Sequence, residues 1–204
     1  MQKALAPTKG NLMAAKNTLK LSKQGYEMMD KKRNILIREM MQLIDEAKEV
    51  EAKIEETFAR SYAALESANV VMGIHNVQFH AAAAPLEDGI EIDLRSVMGV
   101  ELPVIKTKEE NVKPIYGFAH TTSALDETVS RFNEVKQLTV RLAEIENSVY
   151  RLAMNIKKTQ KRANALENIT IPLYENVVKE ITNALEEKDR EEYSRLKVIK
   201  KTQN

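Results

Sequence analysis

The sequence predicts an all-α protein: a long antiparallel two-helix coiled coil with a small β-hairpin inserted between the helices. Three observations lead there. Apolar residues recur every three or four positions through two long stretches, one at each end of the chain. Those stretches are nearly free of glycine and proline, which gather in the middle. The composition is charge-dense and poor in rings: of 204 residues, 30% are charged and 5% aromatic, with no Trp. That balance belongs to long helices rather than to a compact core anchored by large aromatic side chains.

The first segment covers residues 1–72. Pro7 followed by Thr8 marks a helix start, with Thr8 as the N-cap. No proline follows before residue 73, and the only glycines are Gly10 and Gly25. With Leu12, Leu19, Tyr26, Arg33, Met40, Ala47 and Ile54 at heptad position a, position d falls on Ala15, Ser22, Met29, Leu36, Leu43 and Val50. The stripe holds for about six heptads, more than the three or four that define a coiled-coil pattern. Ser22 and Arg33 are its polar exceptions. Met29 and Met40 lie on the stripe, whereas Met28 and Met41 lie off it, open to solvent or to a partner.

The last segment covers residues 123–204. Val135, Leu142, Val149, Ile156 and Ala163 take position a, and Leu138, Ile145, Leu152, Thr159 and Leu166 take d. Pro172 breaks the backbone ladder, so a kink or a shift of helical phase is expected there. Beyond it Leu173, Val177, Ile181 and Leu185 resume an apolar face, and the closing stretch is almost all charge.

The middle segment, residues 73–122, holds most of the glycine and proline. Ile90, Ile92 and Leu94 alternate with Glu91 and Asp93, and Val100, Leu102 and Val104 alternate likewise. Both read as short strands, with Ser96 to Gly99 between them, so a hairpin over about 90–105 is expected. Pro103 cannot donate to a ladder and belongs on an edge. Lys106 to Pro114 reads as a polar loop. Two helices of about 60 residues reach roughly 90 Å each. The connection lets the chain turn back, which places both termini at one tip and the hairpin toward the other end.

Several function classes lack support. The net charge of +1 is not the basic excess of a nucleic-acid binder. With no Cys, disulfides and thiolate metal sites are excluded. No apolar run approaches the roughly 20 residues that span a bilayer. Met1 to Gly10 carries no signal-peptide core, so membrane association is expected only through a partner. His75, His80 and His120 fall in no metal-binding spacing, and no glycine-rich phosphate loop occurs. Carboxylates lie on helix faces among Lys and Arg, as on a solvated surface. No cofactor is expected.

The basic residues are the candidate partner contacts. In an antiparallel pair Lys3, Lys9, Lys16, Lys20 and Lys23 share a tip with Lys197, Lys200 and Lys201. The C-terminal lysines suit the negative end of their helix dipole, but the N-terminal ones stand near a positive end. An acidic or polar sleeve around the tip is one account of them, and solubility of a protruding tip is the other. Lower down, Arg33 occupies an a position, where a charge needs a partner or room to reach solvent. If paired positions add to about 190, as a turn-back near residues 70 and 120 implies, Arg33 faces Lys157 and Lys158, with Lys31 and Lys32 beside it.

Several strings resemble one family. Lys161 to Glu167, reading Lys-Arg-Ala-Asn-Ala-Leu-Glu and followed by Ile171 and Pro172, resembles a basic Asn-Ala-Leu-Glu segment of the D subunit of V-type and A-type rotary ATPases. Ser96 to Val100, followed by Leu102 and Pro103, is similar to that family's hairpin signature. Pro7 to Lys9 resembles its opening, and Lys23 to Tyr26 with Asp30 to Arg33 its first-helix motif. Leu185 to Glu187 and Arg195 to Lys197 resemble its ending. Met28 and Met29 depart from its usual leucines, and Gln24 and Ala163 from its commonest residues. The resemblance implies a non-catalytic central stalk, the rotor axle, of an ATP synthase or ion-pumping ATPase. Its tip would enter a hexamer of A and B subunits, the F subunit would bind its side, and the C (or d) subunit would receive its foot. ATP hydrolysis or synthesis would couple through it to proton or sodium transport. The chain would be cytoplasmic, peripheral to the membrane through the complex. Arg162, in the basic string, joins the candidate contacts. A structural coiled-coil scaffold or tether accounts for the composition equally. An enzyme with a metal on the three histidines is the third reading.

Overall fold

The computed structural model describes residues 6–82, 89–107, 116–117 and 121–202. Helix α1 spans Lys9–Met72 and α2 Ile74–Ala82. Strands β1 (Ile90–Val97) and β2 (Val100–Thr107) form a two-stranded sheet. Helix α3 spans Ser123–Ala165 and continues through a π-helical turn, Leu166–Thr170, into α4, Ile171–Thr202. The chain divides into two compact units, Met1–Asn34 with Ile156–Asn204, and Ile35–Asn155. The second contains the hairpin.

Helix α1 starts where capping chemistry places it. Thr8 Oγ1 accepts the Asn11 N–H at 3.2 Å, and the Asn11 side chain donates to the Ala6 carbonyl at 2.8 Å. One of the orphan N–H groups at the helix entrance is thereby satisfied, and the chain before the helix is tied to its first turn. From there the stripe holds throughout: no expected a or d residue from Leu12 to Ile54, or from Val135 to Leu166, is exposed. Leu36 and Leu152 are fully buried, and Ile145 nearly so.

In each unit the helices run antiparallel. Lys23 pairs with Glu175 and Arg33 with Gln160 in the first unit. Arg141 pairs with Glu46, and Tyr62 meets Phe132 edge-on, in the second. As the position rises on α1 it falls on its partner. The buried positions include Ser22, Ser61, Thr128, Ser148 and Thr159. Hydroxyls at three of them satisfy themselves locally: Ser22 donates to the Thr18 carbonyl, Ser61 to Thr57 and Thr128 to Ala124, at 2.8, 2.7 and 2.7 Å. Small side chains that close their own hydrogen bonds let the backbones approach without leaving a polar group orphaned.

Pro172 produces the expected phase shift, in the form of the π turn just before it. Proline has no N–H for the Asn168 carbonyl, and its ring crowds that oxygen. The chain answers with a wider turn, in which the Ile171 N–H reaches back five residues to the Leu166 carbonyl. A π turn adds one residue to the helix, and the seam moves by one place. Tyr174, Val178, Ile181 and Leu185 carry it on, with Ile181 buried and the others half-buried, as are Leu173 and Val177 on its flank. From Glu186 onward every described residue is exposed.

At the other end α1 stops at Gly73, whose φ of 82° lies in the left-handed region that glycine enters without penalty. Helix α2, absent from the sequence-based expectation, follows at once. Its Val77 is buried against Ala68, Met72 and Leu125, with Leu65, Tyr116 and Ala124 around them. The Asn76 side chain donates to the Met72 carbonyl at 2.9 Å. Nine residues with polar His, Asn and Gln among them are too short a run for helical periodicity to register.

The hairpin forms where the alternation places it, with longer strands than expected. Ser96 and Val97 belong to β1, Lys106 and Thr107 to β2, and only Met98 and Gly99 make the turn. Their φ values of 50° and 75° are both positive, as a two-residue turn matched to strand twist requires. The rest of the expected polar loop, from residue 108 on, lies outside the described residues, as do Lys3 and His120. The register sets Leu94 opposite Pro103, Ile92 opposite Ile105 and Arg95 opposite Leu102. The two apolar alternations therefore fall on opposite faces of the ribbon. Val100 and Leu102 are buried, while Ile92 and Leu94 are exposed.

Leu152→Ala is expected to cost about 2–5 kcal/mol in chemical denaturation, since the side chain is completely enclosed. Half-buried Leu142→Ala should cost clearly less. Equal losses at the two sites would contradict the seam described here.

Candidate partner interfaces

The expected basic residues occupy two places. Lys9, Lys16 and Lys20 are exposed on the early turns of α1, and Lys197, Lys200 and Lys201 on the late turns of α4. All six belong to the first unit. Lys200 and Lys201 lie in the last turn of α4, and the first turn of α1 has no acid. The dipole therefore favours the former and gives no reason for Lys9.

The second group is a belt. Arg33 donates to Gln160 Oε1 at 2.8 Å and forms an ion pair with Asp30. Gln160 in turn donates to Asn164 at 2.6 Å. Arg33 thus closes a polar layer within the seam, its charge matched by Asp30, and it does not face an unpaired lysine. The Arg33–Gln160 contact sets Lys31 and Lys32 level with Lys161 and Arg162, with Lys157 and Lys158 one turn away along α3. Lys31, Lys157, Lys158, Lys161 and Arg162 are exposed, and Lys32 is half-buried. Lys161 is the member that the assumed register misses, because the true pairing is displaced by about one turn. Close to the belt the Tyr26 hydroxyl titrates above its ordinary range, chiefly because the Glu167 carboxylate lies beside it.

A further candidate surface is the bend around Gly73, which a search for charge passes over. Val70, Val71, Ile74 and Phe79 are 81%, 62%, 61% and 76% exposed. Burial of Ala68, Met72 and Val77 on the inner side leaves these four outward. Val70, Ile74 and Phe79 fall off the continued heptad stripe, whereas Val71 continues its d series from Val50 and is exposed all the same. Tyr116 ties this bend together: its hydroxyl donates to Asp126 Oδ1 at 2.6 Å, and its ring meets His80 edge-on. Elsewhere in the second unit a groove of about 510 Å³ is lined by Ile44, Ala47, Val149, Tyr150 and Ala153. Off-stripe Met28 and Met41 are exposed.

Among the described residues no group of three His, Asp or Glu side chains is placed to hold a metal ion. No described helix is long and apolar enough to cross a membrane. The described residues define the class of all-α coiled-coil proteins with an inserted hairpin. Relatives of the chain identify the family within that class. The family profile of the ATP synthase D subunit matches residues 11–201. The V-type ATP synthase D subunit of Thermotoga neapolitana is 42% identical over 197 residues, covering 97% of each chain. The A-type D subunit of Methanosphaera stadtmanae is 35% identical, covering 96% of this chain and 92% of its own. That of Pyrococcus furiosus is 36% identical, covering 95% and 92%. The chain belongs to the family of ATP synthase D subunits.

Burial, and then the bond to Asp126 and its charge, push the Tyr116 phenol from 10.0 up to about 12. The folded state thus holds the phenolic proton more tightly than the unfolded chain. The stabilisation is full below pH 10 and is lost as pH rises toward 12. Tyr116→Phe should therefore flatten the fall of Tm with pH across that window relative to the parent. Parallel Tm curves for the two proteins would remove Tyr116 from the account of the bend.

Proposed function

We propose that this chain is the non-catalytic central axle of a V/A-type rotary ATPase, coupling ATP hydrolysis or synthesis in a ring of A and B subunits to proton or sodium transport. The observation that carries this reading is the seam. Paired helices locked together by a stripe of a and d residues within each unit resist bending and twisting, whereas a single helix does not. The two helices differ in sequence, and α4 alone is offset by a π turn. Such an axle presents a different face in each direction, and an asymmetric axle can hold equivalent catalytic interfaces in different states. Coupling of this kind is allosteric. The axle's contacts favour one state of an interface over another, and they shift its equilibrium by no more than that difference.

The partner surfaces divide accordingly. The tip of Lys9, Lys16, Lys20, Lys197, Lys200 and Lys201 lies within the A/B ring, with the belt of Lys31, Lys32, Lys157, Lys158 and Arg162 below it. The F subunit takes the side of the shaft. The outward Val70, Val71, Ile74 and Phe79 form the foot that seats on the C (or d) subunit above the membrane sector. An exposed apolar cluster of this kind marks a protein contact. The axle thus stands on the cytoplasmic side, attached to the membrane through the complex, with no contact to nucleic acid.

Reversing Lys31, Lys32, Lys157 and Lys158 to Glu tests the belt. The isolated variant should remain helical, because three of the four side chains are exposed and none lies at a seam position. Its affinity for the A/B ring, or ATP turnover of the reconstituted complex, should fall. Unchanged affinity and turnover with a folded variant would reject the belt as an interface.

A further inference from the structure

The two edges of the hairpin are finished differently. Because the turn has two residues, Val97 and Val100 form a hydrogen-bonded pair, and pairing then alternates along the ribbon. On β2 the backbone groups of Glu101, Pro103 and Ile105 point away from β1. That edge is partly closed. Pro103 has no N–H to offer. The Ile105 N–H donates to Glu144 Oε2 at 3.2 Å, and the Glu101 carbonyl accepts from Arg151 at 3.0 Å. The same alternation on β1 directs the N–H and C=O groups of Ile90, Ile92, Leu94 and Ser96 outward. Among the described residues no strand pairs with that edge.

The β1 edge has charges, Glu91, Asp93 and Arg95, only on the face it shares with Val100 and Leu102, and it lacks two other devices that stop strands from adding. It has no proline, and its pairing with β2 runs from Ile90 to Val97 without a bulge. The residues with outward backbone groups also carry exposed apolar side chains: Ile90, Ile92 and Leu94 are 43%, 65% and 58% exposed. The charged residues of β1 point to the other face, where Asp93 pairs with Lys106 and Arg95 with Glu39. An eight-residue edge with an exposed apolar face is a template for strand pairing, and native proteins rarely leave one open in their working state.

We propose that the β1 edge is the docking site for an extended segment of another subunit of the complex, which adds as a third strand. The hydrogen-bonding groups fix the chemistry of the occupant. It must be a backbone in β conformation, with apolar side chains at alternate positions to meet Ile90, Ile92 and Leu94. Affinity comes from the main chain, and register from the alternating side chains. The face of the ribbon carrying Val100 and Leu102 stays buried, so the docked strand widens the sheet without displacing the hairpin. This rests on the reading of the chain as part of the rotary complex.

Amide hydrogen exchange on the isolated chain and on the purified complex tests it. Assembly should slow exchange at Ile90, Ile92, Leu94 and Ser96. The inward amides of Asp93 and Arg95, already bonded to β2, should change little. Ile92→Pro removes an outward N–H that the hairpin does not use, so the isolated variant should melt like the parent. Its retention in the complex should fall by about two- to tenfold, the worth of one net hydrogen bond. Ile92→Val keeps the N–H and should behave as the parent. Equal exchange at the outward amides in free and assembled chains would overturn the proposal. So would protection already present in the dilute isolated chain, which would assign the edge to a segment of this chain. Protection that grows with the concentration of the isolated chain would overturn it too, by assigning the edge to a second copy. A chain that fails to assemble with the ATPase at all would overturn the underlying reading as well, and that result is distinct from assembly without protection.

Discussion

Everything in this molecule depends on the seam between antiparallel helices. It is built mostly from medium and small residues, and its polar members are mainly serines and threonines, several of which close their hydrogen bonds within their own helix. Large rings would hold the helices apart, and unpartnered polar groups would cost more than the contact returns. With the seam carrying the packing, the outward faces are free to be charged. The high charge fraction and the scarcity of aromatics both follow from this division. The one charge inside the seam, Arg33, is accommodated because Asp30, Gln160 and Asn164 complete a polar layer around it. Such a layer also resists slippage of register, since any other pairing would strand the guanidinium.

Two departures from uniformity give the chain its distinct surfaces. The π turn before Pro172 advances the apolar face of α4 by one position, so the charged residues toward its end point elsewhere than a continuous heptad would direct them. Among the described residues the hairpin is bound on one edge and one face and open on the other edge and face. A perfectly regular coiled coil would offer partners nothing to orient by. These irregularities supply direction, and their causes are local: a missing N–H in one case, a two-residue turn with positive φ in the other.

Much of this is legible in the sequence. The stripes from Leu12 to Ile54 and from Val135 to Leu166 name the seam residue by residue, because a period near 3.5 has one structural interpretation over that length. Thr8 and Pro172 are as legible, since each acts on its own turn. Legibility fails where tertiary pairing decides. The alternations at Ile90 and at Val100 predict two strands, but only the register reveals that their apolar sides face opposite ways. Helix α2 is held by the burial of Val77 against α1 and α3, a contact that short-range pattern does not carry. Sequence spacing sets Arg33 beside Lys157, yet it meets Gln160, because a fold-back point read from glycine and proline positions is uncertain by about a turn. The basic residues of the belt and tip announce their charge but not their neighbours. The apolar cluster at the bend is hidden because the stripe is ending there, so that even Val71, at a continued d position, faces outward.

The central claim is rotation, and the chain's lack of cysteine makes it directly measurable. A single cysteine introduced by His75→Cys, at an exposed position on α2, can carry a bead while the A/B ring is fixed to a surface. On addition of ATP the account predicts stepwise turning in one direction, at a rate that follows ATP turnover. A bead that stays still, or only jitters, while the same immobilised rings hydrolyse ATP would contradict it.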